Sequence, residues 1–170
     1  VNLMGLIGML NQGRLFNETA CFRTNFCVGG GFNAVRGLTA QVKWLQRKVA
    51  AGGQFVYTQP VYREDDVDRM LEVTQDIDVP ILVGIMPLVS RRNAEFFASG
   101  RIPGVIIPPE ILAQFEGVED AVEGRKLGVD MAMQLMDRIR HKVRGFYLLP
   151  PFGRDHHLVV GQMLEALGGS

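Results

Sequence analysis

The stretch Pro80-Ile81-Leu82-Val83-Gly84-Ile85-Met86-Pro87 is apolar from end to end and bracketed by prolines. It is far shorter than the roughly 20 residues a membrane helix needs. It also lacks the alternation of a strand with one wet face. It therefore predicts a strand covered on both sides, the habit of parallel sheets. Shorter runs repeat the theme: Phe26-Cys27-Val28, halted by Gly29-Gly30-Gly31; Phe55-Val56-Tyr57-Thr58; and Gly145-Phe146-Tyr147-Leu148-Leu149.

Helical spacing fills the gaps. Residues 3–12 form a short apolar helix. Leu38, Val42, Leu45 and Val49 share one face of a helix over 38–51. Val67, Met70 and Leu71 do so over 64–75, where Glu64, Asp65 and Asp66 suit the positive end of the helix dipole. Ser90 caps a helix reaching 99, with Phe96 and Phe97 inside it. Pro108-Pro109-Glu110 opens a short helix to 115. Leu127, Met131, Leu135 and Ile139 mark a long helix over 119–141, and a closing helix over 155–167 buries Val159, Val160, Met163 and Leu167.

Strand and helix thus alternate, which implies parallel strands joined by right-handed crossovers. Four such units make an open sheet or half of an eight-stranded barrel. A whole barrel needs about 250 residues, and the chain has 170. It opens at Val1 inside an apolar segment. The expectation is a single partial domain over 1–170, an α/β fold forming the C-terminal half of a TIM (β/α)8 barrel.

The charge balance narrows the partners. Lys and Arg number 18, Asp and Glu 18, for a net charge of zero. That argues against nucleic acid or an anionic membrane surface. The two cysteines, Cys21 and Cys27, fit no zinc spacing. Cys27 reads as a small buried hydrophobe, and free thiols point to a reducing, cytoplasmic setting.

Ligands of parallel α/β folds bind at the C-terminal ends of strands. Gln59 stands there, followed by Pro60. Its amide offers two donors and an acceptor, which suits a ring edge mixing N–H and C=O groups, such as a pterin or flavin. The alternative is a merely solvated glutamine. Arg47 and Lys48 end the 38–51 helix, either complementing its dipole or meeting a phosphate. Ser90-Arg91-Arg92-Asn93 starts a helix right after a strand, a place suited to polar ligands. Asn93 and Phe97 share a face at i, i+4 spacing. Phe152-Gly153-Arg154 follows the last strand, so Arg154 can face the same mouth. Gly29-Gly30-Gly31-Phe32-Asn33-Ala34 matches the dinucleotide pattern G-x-G-x-x-A, but Arg36 and Gly37 intervene before the helix and the next strand ends in Gln59 rather than an acid.

Five segments together, FCVGGGF (26–32), QRKVAAGGQFVYTQPVY (46–62), PILVGIMPLVSRRNAEFF (80–97), IPGVIIPPEIL (102–112) and GFYLLPPFGR (145–154), resemble methylenetetrahydrofolate reductase, most closely the form fused behind a homocysteine methyltransferase domain. The resemblance implies a flavoprotein barrel. Bound FAD takes electrons from NAD(P)H and passes a hydride to methylenetetrahydrofolate, giving methyltetrahydrofolate. It implies that Gln59 holds the pterin, that Asn93 is a polar folate contact, and that Phe97 packs on folate or nicotinamide. Arg154 would face the folate tail. Arg47 and Lys48 would lie along the FAD phosphates, with Gly30, Gly31 and Phe32 near the flavin or its adenosine part.

The chain departs from the family pattern in two places. Asn33 to Gly37 is short, without the proline-rich or histidine-bearing segment the family commonly has there, and Gln41 stands where an acid is common. The family's acidic proton donor comes from an early strand that is not in this chain. The resemblance therefore implies an enzyme completed by the missing N-terminal barrel half, the fragment alone being inactive. The alternatives are a non-catalytic half-barrel that binds a partner or forms a homo-oligomer, and a nicotinamide-binding module built on Gly29 to Ala34.

Overall fold

The computed structural model describes residues 1–153 and 156–168. Its frame is one four-stranded parallel sheet: β1 (Gly29–Phe32), β2 (Phe55–Pro60), β3 (Ile81–Ile85) and β4 (Gly145–Leu148), laid side by side in chain order. A doubly wound sheet reverses its strand order at a switch point. This sheet never reverses, so it has the winding of a β/α barrel arc rather than of a dinucleotide-binding domain. Helices α1 (Asn2–Asn11), α2 (Leu38–Ala50), α3 (Glu64–Thr74), α4 (Arg91–Ala98), α5 (Pro109–Ala113), α6 (Ala121–Ile139) and α7 (His156–Ala166) occupy the rest.

Two apolar clusters hold these elements. Val56, Ile81, Val83 and Ile85 point from the sheet toward Leu45, Val67, Met70, Leu135, Ile139 and Met163 of the helices. The second cluster gathers Met86, Leu88, Phe97, Val105, Ile107 and Phe115 beyond the C-terminal end of β3. Ser90 caps α4 as the sequence predicts, its hydroxyl accepting from the Asn93 amide at 3.1 Å. Asp120 caps α6 by accepting from the amides of Val122 and Glu123.

Several expectations need correction. The first strand is not Phe26–Val28 but the glycines themselves, paired Gly29 with Phe55 through Phe32 with Thr58. The reason lies next door, because the rings of Phe55 and Tyr57 lie over this strand. A Cβ at Gly29 would stand 2.3 Å from Phe55 Cζ. Only a residue without a side chain can lie beneath the Phe55 ring. Phe26 and Cys27 consequently stay outside the sheet, both exposed, so Cys27 is not a buried hydrophobe. On α7, Val159 and Met163 are buried, but Leu167 is 50% exposed past the helix end.

Helix α6 lies unusually close to the segment after β3. A Cβ on Gly124 would fall 2.9 Å from the Val89 carbonyl oxygen, and one on Gly128 only 1.6 Å from that of Leu88. The two glycines are four apart and so share a helix face.

Candidate functional site

The ladder between β2 and β3 contains one surplus residue. Tyr57 pairs with Leu82 and Pro60 with Gly84, so three steps on β2 match two on β3. This is a β-bulge, a device that redirects a side chain and interrupts regular pairing. It also explains how Pro60 sits inside a four-stranded sheet, because a proline that cannot donate is tolerated at a bulge. Thr58 repairs the interruption. Its buried hydroxyl donates to the Gln59 carbonyl at 2.7 Å and accepts from the Gly84 amide at 2.9 Å. Tyr147, from β4, donates its hydroxyl to the Thr58 carbonyl at 2.9 Å. Burial, with the nearby Tyr57 adding to it, raises the Tyr147 pKa above the ordinary tyrosine value, so that hydroxyl stays a donor.

Replacing Thr58 by Val keeps the shape and removes both bonds. We expect about 1–2 kcal/mol of destabilisation, measured by urea unfolding, because the Gly84 amide loses the Thr58 hydroxyl as acceptor in a buried place.

Gln59 is half-buried and lies against the loop between α4 and α5. A Cβ on Gly104 would stand 3.2 Å from Gln59 Cγ and 3.4 Å from Asn33 Nδ2. Asn33 Nδ2 donates to the Gly104 carbonyl at 3.3 Å, while its Oδ1 accepts from the amides of Val35 and Arg36. Asn33 thus pins the loop across the ends of β1 and β2. Gly104 has φ +87°, a conformation glycine adopts without strain. The bare loop leaves room for the glutamine amide.

The same loop links Gln59 to Phe97. Val105 and Ile107, just past Gly104, pack in the cluster that holds Phe97. Phe97 is only 1% exposed, its ring 5.4 Å from those of both Phe96 and Phe152. Phe152, following β4, is 60% exposed and forms the outer layer of this stack. Asn93 is half-buried and turned toward the start of its own helix, its Oδ1 accepting from the Val89 amide at 3.3 Å. Arg154 lies outside the described residues.

At the other edge, Lys48 reaches from the last turn of α2 to donate to the Gly31 carbonyl. Gly31 is open: its nearest neighbour for an added Cβ is the edge of the Tyr57 ring at 3.9 Å. Gly30 instead faces Met4 and the Lys48 stem, and Phe32 is buried among the helices at 2% exposure. Arg47 is exposed and stacks on Trp44, 5.1 Å from the ring centre. Of the expected cofactor group, only Gly31 and Lys48 come together at a strand end.

Thr58, Asn33 and Gly104 escape a reading of the sequence alone. A threonine closing an apolar strand just before Gln-Pro is a faint sign of the first. Asn33 and Gly104 are 71 residues apart, and nothing local announces their pairing.

An arc of parallel β/α units with polar side chains gathered at the C-terminal strand ends defines a barrel-type ligand-binding fold. The family model for methylenetetrahydrofolate reductase matches residues 30–150, and the chain belongs to that family. It is 34% identical over 107 residues to the 5,10-methylenetetrahydrofolate reductase of Escherichia coli, covering 61% of this chain and 36% of that one. It is 30% identical over 106 residues to methylenetetrahydrofolate reductase 2 of Saccharomyces cerevisiae, covering 56% of this chain and 17% of the relative. The chain thus spans about a third or less of the length of these relatives. Among solved structures it resembles an uncharacterized protein from Clostridium thermocellum that binds two copies of 5-methyl-5,6,7,8-tetrahydrofolic acid. That match has a TM-score of 0.58 at 18% identity, covering 82% of this chain and 52% of the other.

Proposed function

We propose that this chain supplies the folate-binding half of a methylenetetrahydrofolate reductase, acting within a longer protein to reduce 5,10-methylenetetrahydrofolate to 5-methyltetrahydrofolate at the expense of NAD(P)H. The observation that carries the proposal is the bulge at Thr58–Gln59. It takes a glutamine out of the regular ladder and holds it at the strand ends, beside a loop with no side chain in the way. A primary amide there can donate to a ring carbonyl or nitrogen and accept from a ring N–H at once. That is the pattern of a pterin edge. Folate binding by the structural relative from Clostridium thermocellum supports this reading.

The role of Phe97 is indirect in this arrangement. Its ring is covered by Phe152, so the exposed Phe152 is the first aromatic a ligand meets, and Phe97 becomes a platform only when Phe152 moves aside. Asn93 retains its amide nitrogen for a polar contact while its oxygen stays with Val89. Arg154 is proposed to face the glutamate tail.

The residues present fit FAD in part. Lys48 beside the open edge of Gly31 places a cation at a strand end, as a diphosphate requires. Arg47 adds a second exposed cation one residue away. Phe32 and Gly30, facing the helices, would support the fold rather than touch the cofactor. FAD, when bound, supplies the hydride carrier between NAD(P)H and the folate. What these residues do is orient the pterin and fix the phosphate end.

The test is spectroscopic. Purified together with the segment that precedes it, the protein should carry a flavin absorbance band close to one per chain and reduce methylenetetrahydrofolate. The 170-residue chain alone should show no turnover. A folded, colourless longer protein would sink the proposal.

A further inference from the structure

Gln59 stands between two peptide units, and a hydroxyl holds each of them. The Thr58 carbonyl, on the peptide before Gln59, accepts from the Tyr147 hydroxyl at 2.9 Å. The Gln59 carbonyl, on the peptide after it, accepts from the Thr58 hydroxyl at 2.7 Å, and that hydroxyl is itself fixed by the Gly84 amide at 2.9 Å. Peptide units are planar, so the orientations of two successive units set φ and ψ of the residue between them. They thereby set the direction in which its side chain leaves the backbone. At a bulge the regular ladder supplies less of that guidance.

Tyr147 reaches this peptide from two strands away. It belongs to β4, and β3 lies between β4 and β2. Phe146 and Leu148 pack toward the helices, so alternation turns Tyr147 to the opposite face of the sheet. Its ring passes over β3 at Gly84, where an added Cβ would lie 2.9 Å from Tyr147 Cε1. The ring also meets that of Tyr57 edge-on, with centres 5.4 Å apart. A phenylalanine would make the same ring contacts, so what the hydroxyl adds is the bond to Thr58. We propose that Tyr147 is a positioning residue for folate reduction: by holding the Thr58–Gln59 peptide it aims the Gln59 amide at the substrate. This role rests on the folate reading of Gln59, and Tyr147 acts through that residue rather than by touching the substrate itself.

A double-mutant cycle in the longer protein tests it, with the two half-reactions followed by stopped flow. Tyr147→Phe should slow folate reduction about tenfold and flavin reduction by NAD(P)H less than about twofold. Added to Gln59→Leu, the same change should cost folate reduction less than about twofold more, because the group it positions is gone. Thr58→Val, which frees the other peptide, should resemble Tyr147→Phe, and Thr58→Ser, which keeps the hydroxyl, should not. Equal loss in both half-reactions, a tenfold loss that persists beside Gln59→Leu, or a native folate rate in Thr58→Val would each overturn the role. NMR of the 170-residue chain supplies a readout that needs no folate. The three-bond coupling between the Gln59 amide and α protons, which follows φ, should change in Tyr147→Phe while that of Val56 stays constant. An unchanged Gln59 coupling would overturn the positioning role whatever the substrate. A changed coupling, with folate reduction indifferent to Gln59→Leu, would uphold the positioning of Gln59 and overturn the folate reading instead.

Discussion

Gln59→Leu, made in the longer flavin-containing protein, should slow the reduction of methylenetetrahydrofolate by about a hundredfold while changing the reduction of flavin by NAD(P)H less than about threefold. Leucine matches glutamine in size and preserves the contact with Gly104, so the loop should stay in place. What disappears is an amide that donates and accepts along one ring edge. The pterin groups it served would be desolvated without partners, and each such loss costs about 1–3 kcal/mol. Stopped-flow measurement of the two half-reactions separates the cases. Equal loss in both would mean that Gln59 supports the flavin site or the fold, not the folate.

Gly128→Ala should cost more stability than alanine at any other glycine among the described residues. The added carbon would lie 1.6 Å from the Leu88 carbonyl oxygen, 2.7 Å from its carbonyl carbon and 3.2 Å from its amide nitrogen. All three belong to backbone, so no side-chain rotation relieves the overlap. Either α6 retreats from the sheet or the Leu88–Ser90 segment is pushed away. Retreat opens the core around Leu135 and Ile139. Displacement disturbs the Ser90 cap and, with it, the helix carrying Asn93 and Phe97. Overpacking of this severity costs about 3 kcal/mol or more, and urea unfolding should show it. Glycines 5 and 8 supply the control. They have open space where a Cβ would go, so alanine there should be neutral or slightly stabilising. A Gly128→Ala protein as stable as the parent would contradict the close approach described above.

Much of the architecture is legible in the chain because local and global preferences agree. The run Pro80–Pro87 becomes β3, and the spacing of Leu38, Val42, Leu45 and Val49 becomes α2. What escapes is decided by neighbours distant in sequence. Three consecutive glycines announce a loop, yet here they pair with β2 as a strand, with the Phe55 ring filling the space above Gly29. Asp66 reads as one more acid at a helix start. In the fold it is 1% exposed, held by Arg63 through two bonds of 2.9 and 3.0 Å and by Arg69 as well. The Arg63 pKa is raised accordingly, chiefly by its hydrogen bond to Asp66. The exposed ends of both arginines are visible as polarity in the sequence, whereas the buried carboxylate that joins them is not.

The site was legible in the same uneven way. The position of Gln59 at a strand end follows from periodicity. Its release from the ladder does not, because a bulge depends on how many residues the neighbouring strand spends over the same length. Phe97 satisfies the spacing for a ligand platform, yet its ring is covered by Phe152, which follows a different strand. Phe32 follows the glycines as a ligand-facing aromatic should, and it turns inward because the strand continues through it.

The bulge has a further implication for how this chain tolerates change. Removing one residue between Tyr57 and Pro60 would leave Tyr57 opposite Leu82 and Pro60 opposite Gly84, with a regular ladder between them. The ladder so restored would run straight through Pro60, which has no N–H to give and is tolerated in an interior strand because of the bulge. Deleting Gln59 would also take from Thr58 the carbonyl to which its hydroxyl donates. A one-residue deletion here should therefore lose stability together with the proposed ligand, because the same irregularity that frees the glutamine also makes room for the proline.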